Sequence, residues 1–257
     1  MNSHIPPDFN SEQVSLEDKI ILITGATGGL GRALAKHCGR LGATVVLSGR
    51  NVAALEAVYD ELEADGAPTP ALLPVDQEGA TQPDYAMLAT TLSDTFGKLH
   101  ALVHCAAQTG MSTQIEHYPV ATWSSVMTVN LHSAFLWTRA LLPLLDATGN
   151  SSVTFTLDNR NTAFWGAYGV SKAGLLSLSQ ILADEIEGKV DAQGFPRVAI
   201  NSIDPGAMRT KLRQRSFAGE LPSESPLPET KTDAFIYVVS RQDAALHGRN
   251  LILQSVG

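Results

Sequence analysis

The chain has 257 residues, 44% of them hydrophobic and 17% charged, a composition suited to one globular α/β domain with a large core. Its 26 acidic residues outnumber 18 basic ones, and the resulting net charge of -8 repels a phosphate backbone, so nucleic acid is excluded as a partner. Two cysteines, Cys38 and Cys105, cannot build a disulfide framework, and no apolar run reaches the roughly 18–20 residues that a bilayer span needs.

A polar N-terminal arm, residues 1–18, carries two prolines and no hydrophobic signal core, so a cytoplasmic location is expected. Residues 19–24 (KIILIT) then form a continuous apolar run ending in glycines, the pattern of a strand buried on both faces. A helix over 30–41, a strand over 43–48, a helix over 52–64 and a strand over 71–75 follow. A helix over 84–96 leads to a strand over 101–105, then a long helix over about 120–145 and a strand over 152–156. The alternation continues with a helix over about 167–187, a strand over 197–203 and a last strand near 250–253. Strict β/α alternation with short connections predicts a Rossmann-type, doubly wound parallel sheet in a single domain over 19–257. Residues 211–232, rich in Pro, Ser and Glu, show no period and are expected to form a lid over the carboxyl edge of the sheet.

The first strand-to-helix turn is Thr24-Gly25-Ala26-Thr27-Gly28-Gly29-Leu30-Gly31. Gly25 suits the tight turn, Gly29 admits a pyrophosphate to the backbone, and Gly31 allows close helix packing, while free N–H groups and the helix dipole attract the anion. The second strand ends in Ser48-Gly49-Arg50 without a carboxylate for a ribose 2′-hydroxyl. Arg50 can pair with a 2′-phosphate, which favours NADP(H) over NAD(H), or it is a solvated turn residue. Asp76, past the third strand, either accepts from the adenine amino group or caps the next segment.

Tyr168 and Lys172 lie four residues apart at the start of an apolar helix, so phenol and ammonium share one face. A neighbouring cation stabilises phenolate and makes tyrosine a usable proton acceptor and donor for a carbonyl/alcohol pair. His104 and Cys105 lack further ligands at metal spacing, and Trp123, Trp137 and Trp165 read as packing residues, with Trp165 near a substrate pocket.

These motifs together make the chain resemble the short-chain dehydrogenase/reductase family, and its YciK-like bacterial branch most of all, from about residue 19 onward. The resemblance implies a carbonyl/alcohol oxidoreductase acting on a small molecule. Tyr168 is then the general acid/base, Lys172 binds the nicotinamide ribose, and Asn130 holds a proton-relay water. It also assigns the cofactor to the 24–31 turn, Asp76, Cys105, Ala106 and the segment carrying Pro205, Gly206 and Thr210.

Two departures stand out. Cys105-Ala106-Ala107 replaces the family's Asn-Ala-Gly, and no serine lies between Ser152 and Ser171, where the family has one to bind the substrate carbonyl. Residue 155 is Phe, and Asp158 falls near the serine's place, where it would repel an oxyanion and could draw off Lys172; Thr156, Asn159 or Thr162 are alternative donors. A cofactor-binding protein with weak or lost catalysis, acting as sensor or scaffold, is the rival reading. Excess apolar residues on the helices over 120–145 and 167–187 predict a homodimer or homotetramer.

Overall fold

A computed structural model describes residues 5, 6 and 8–253; the predicted arm's residues 1–4 and 7 and the predicted domain's residues 254–257 lie outside them. Seven strands form one parallel sheet in the order β3-β2-β1-β4-β5-β6-β7. They are β1 (Ile20–Thr24), β2 (Thr44–Gly49), β3 (Ala71–Pro74), β4 (Ala101–His104), β5 (Ser151–Thr156), β6 (Val198–Asp204) and β7 (Arg249–Ile252). Every residue of β1, β4 and β5 is buried, as strands covered on both faces must be. The order reverses between β1 and β4, so a crevice opens at their carboxyl ends, where open α/β sheets place their ligands.

Helices α1 (Gly29–Arg40) and α2 (Val52–Ala64) follow β1 and β2, and α3 (Gln82–Phe96) follows β3. The predicted long helix over 120–145 is instead α4 (Val120–Met127), one π turn (Thr128–His132) and α5 (Ser133–Thr148). Asn130, in the π turn, directs its amide into the protein rather than along a regular helix face. Helix α6 (Gly166–Ile186) follows β5.

The predicted structureless lid contains a short helix, α7 (Lys211–Ser216), and two 3₁₀ turns at Pro222–Glu224 and Pro228–Lys231. Helix α8 (Thr232–Val239), absent from the sequence reading, comes next. From Thr232 to Val239 only Asp233 escapes burial, so α8 has no polar face to reveal a helical period. The arm packs onto this helix: Leu16 is fully buried, Phe9 meets Tyr237 edge to face at 5.0 Å, and Ser11 donates a 2.7 Å hydrogen bond to Asp233.

Candidate active site

The turn from β1 to α1 is shaped by backbone contact. Gly25 has φ +64°, and a β-carbon there would lie 2.7 Å from the Ala106 backbone. A β-carbon on Gly31 would collide with the Gly25 carbonyl, so α1 can approach the turn only with glycine at that place. Gly28 caps α1 without any side-chain hydrogen bond, and no acidic residue stands in the first turn. The helix therefore presents uncompensated N–H groups and its positive dipole end to the crevice. Gly29 faces Thr210: a β-carbon there would lie 2.7 Å from the Thr210 methyl group and 3.5 Å from Pro228, so the segment around α7 packs on this helix end.

A cleft of about 640 Å³ runs along the carboxyl edge and is lined by Gly25, Thr27, Gly28, Gly29, Leu30, Gly31, Arg50, Asp76, Cys105, Ala106, Tyr168, Lys172, Pro205, Gly206 and Thr210. Of the three catalytic candidates Tyr168, Lys172 and Asn130, Asn130 alone stands behind the wall rather than in it. Arg50 is exposed at the tip of β2 and has no carboxylate within 4.0 Å among the described residues. Asp76 lines the cleft and accepts from the Glu78 backbone N–H at 3.2 Å, closing a local turn, while its other oxygen makes no hydrogen bond among the described residues; the next helix is capped by Thr81.

At the altered Asn-Ala-Gly segment, Cys105 Sγ lies 3.7 Å from Thr156 Oγ1, a weak contact between the ends of β4 and β5. The Ala106 N–H donates to Thr24 Oγ1 at 3.3 Å. Ala107 lines the cleft with an ordinary negative φ, so its methyl group imposes no backbone strain.

At the other end of the cleft the Tyr168 hydroxyl donates to Asp158 Oδ2 at 3.0 Å. Lys172 is buried and its ammonium donates to the Thr156 carbonyl at 2.8 Å, 5.7 Å from the Tyr168 ring centre. The sequence reading that Asp158 draws off Lys172 is thus corrected: Asp158 engages Tyr168, and its other oxygen lies 2.9 Å from Arg160 Nε. That contact is an ion pair by distance whose angle makes no hydrogen bond, so the Arg160 Nε–H stays buried and unpartnered. Burial, and then the Asp158 carboxylate, push the Tyr168 phenol well above its ordinary value. Burial likewise lowers Lys172, to about 8, against the opposing pull of Asp158.

Phe155 is no substitute for the serine. It points into the core and stacks on His104 at 4.9 Å, while His104 shares a 2.9 Å hydrogen bond with Thr138. Of the three alternative donors, Thr156 lines the cleft and Asn159 and Thr162 do not. Asn130 accepts from the Gln108 N–H and donates to the Gln108 carbonyl and to Ser171, so both of its amide protons are committed to protein. Only its carbonyl oxygen has capacity left for a water.

Sequence reasoning passed over Arg160, Arg209 and Phe217, which line the same cleft. No motif marks them: Arg160 sits in an irregular connection and Phe217 just beyond α7, and only folding brings them together. The Arg160 guanidinium lies 4.9 Å from the Trp165 ring centre and 5.4 Å from that of Phe217. Among the described residues no group of three or more His, Cys, Asp or Glu could hold a metal, and no helix is long and apolar enough to cross a membrane.

Known proteins share this architecture. The family model for short chain dehydrogenases matches residues 19–221. The uncharacterized oxidoreductase YciK of Escherichia coli strain K12 is 31% identical over 234 residues, 90% of each chain. A solved structure of a short chain dehydrogenase from Pseudomonas syringae is 37% identical with a TM-score of 0.90, covering 96% of this chain and 99% of that one. Another, from Shigella flexneri and complexed with NADP, is 30% identical with a TM-score of 0.88, covering 93% and 98%. A glycine turn against an open helix end, a tyrosine and a buried lysine in one cleft, and likeness along nearly the whole length place the chain in the short chain dehydrogenase family of oxidoreductases.

Proposed function

We propose that the protein is an NADP(H)-preferring oxidoreductase that interconverts a carbonyl and an alcohol on a small molecule. The observation that carries this reading is the single cleft joining the uncapped start of α1 to the Tyr168 hydroxyl and the Lys172 ammonium. The residues fit a dinucleotide. The open N–H groups of Gly29, Leu30 and Gly31 suit a pyrophosphate, Gly25 and Gly28 leave the approach free of side chains, and Arg50 suits a 2′-phosphate. The NADP-complexed relative supports the phosphorylated cofactor. Thr27, Asp76, Cys105, Ala106, Pro205, Gly206 and Thr210 complete the wall on the adenine and nicotinamide sides.

When bound, the cofactor supplies or accepts the hydride. Tyr168 moves the proton: in reduction its hydroxyl turns from Asp158 to the substrate oxygen, and in oxidation it takes the alcohol proton as phenolate. Lys172, fixed by the Thr156 carbonyl, stabilises that phenolate and can bind the nicotinamide ribose. Asn130 holds the 105–109 segment to α6 through Gln108 and Ser171.

One observation favours a second reading, a cofactor-bound sensor or scaffold with little catalysis: the Asp158 carboxylate accepts the very proton that reduction must deliver. Calorimetric titration with NADPH and NADH, on the wild type and Arg50→Ala, together with turnover on a carbonyl panel, separates the readings. We expect NADPH to bind at least tenfold more tightly, the preference to shrink in Arg50→Ala, and some carbonyl to be reduced. Tight binding without turnover across the panel supports the sensor, and failure to bind either cofactor overturns both.

A further inference from the structure

We infer that the substrate is an anionic carbonyl compound, an oxo acid whose carboxylate is received by Arg160; this rests on the oxidoreductase reading and narrows it. The chain is acidic as a whole, yet seven Arg and Lys side chains line the cleft against two carboxylates, Asp76 and Asp158. A pocket so biased in sign concentrates anions.

The cofactor accounts for only part of that bias. Arg32 and Arg50 stand at the α1 and β2 end, and Arg32 is tied to Glu61. Arg160 follows β5, and β1 and β4 lie between β2 and β5 in the sheet. Three strand spacings, about 14 Å, therefore separate the two strand tips. Arg160 instead adjoins the reacting hydroxyl, since Asp158 bridges Tyr168 and Arg160.

The guanidinium is also built to be used from its edge. Trp165 and Phe217 flank it at 4.9 and 5.4 Å, which holds the cation in place while part of the side chain stays exposed. None of its N–H groups makes a hydrogen bond among the described residues; Nε is buried beside Asp158, and the two terminal nitrogens stay open to a ligand. A carboxylate matches the planar fork of arginine in two parallel bonds. The neighbouring Arg213 gives Glu220 two hydrogen bonds at 2.6 and 2.7 Å, whereas Arg160 meets Asp158 only through Nε and with no hydrogen bond, so Arg160 is the better candidate of the two.

The test uses enzyme saturated with NADP⁺ and three oxo acids, pyruvate, acetoacetate and levulinate, each against its methyl ester. Calorimetry is expected to show at least one acid binding tenfold or more tighter than its ester. Arg160→Gln should abolish that preference while leaving NADP⁺ affinity within about twofold, and Arg160→Lys should retain part of it. Asp158→Asn, which removes the internal competitor for Arg160, should tighten the acid severalfold, so a misfolded Arg160 variant would not end the test. Equal binding of acids and esters, no binding of any acid, or an undiminished preference in folded Arg160→Gln overturns the inference alone. Failure of NADP⁺ to bind the wild type overturns the oxidoreductase reading instead.

Discussion

Asp158 lies at hydrogen-bond distance from Tyr168, and its carboxylate penalises the phenolate on which the proposed proton transfer depends. The sign follows directly. The Asp158 charge raises the Tyr168 pKa, so removing it lowers that value and makes phenolate available at lower pH. In Asp158→Asn the rise of kcat/KM for alcohol oxidation should therefore move toward acid by about one pH unit or more. In reduction, where the phenol must stay protonated, the decline at high pH should move the same way. A pH profile of each direction measures this, and unmoved profiles in a variant of unchanged melting temperature would show that Asp158 does not govern Tyr168. Lys172 opposes Asp158 from the other side: its ammonium favours the phenolate, although burial lowers its own pKa to about 8.

Between residues and fold stands the β1–α1 connection, where a single methyl group decides whether helix and turn can meet. In Gly31→Ala the new β-carbon meets only backbone, the Gly25 carbonyl and the Ala26 α-carbon, so nothing flexible can yield. We expect a loss of about 1–3 kcal/mol in chemical denaturation and a fall of at least tenfold in NADPH affinity. Gly188→Ala, with open space and an ordinary φ, should change neither. This element was legible in the sequence because backbone geometry restricts its residue types, and the same holds for β1, β4 and β5, whose double burial demands unbroken apolar runs. Legibility failed where the physics is not periodic. Helix α8 is buried almost all round, the π turn at Asn130 interrupts a helix without any Pro or Gly to mark it, and the ring of Trp165, Arg160 and Phe217 joins segments far apart in the chain. Asp158 could be placed near the missing serine by counting along the chain, but its choice of Tyr168 over Lys172 depends on where the Thr156 carbonyl points.

At the scale of the whole molecule, α6 carries two unlike faces. Leu175 and Leu182 are buried against the sheet, whereas Val170 and Ile181 are 46% and 53% exposed on the opposite side, with Ala173 and Ser177 exposed between them. Spacings of three and four residues align these four into one stripe of small and apolar groups, a surface that water disfavours and a second helix fits closely. Phe135 of α5 adds a further side chain that is 40% exposed, in a helix whose remaining large apolar residues are at least partly covered. Burying such a stripe against its own copy around a two-fold axis is the simplest closed solution, and a second such contact gives a tetramer. Light scattering on the eluting protein at micromolar concentration should therefore give two or four times the chain mass. Ile181→Lys places a charge at the C-terminal end of the stripe, on its most exposed large apolar side chain, and should drive the protein toward monomer without lowering its helix content. A wild-type monomer would leave the stripe without a partner and refute the assembly. Because Tyr168 and Lys172 stand on the same helix as the stripe, a monomeric variant that keeps NADPH affinity but loses turnover would show that subunit contact also holds the catalytic end of α6 in place.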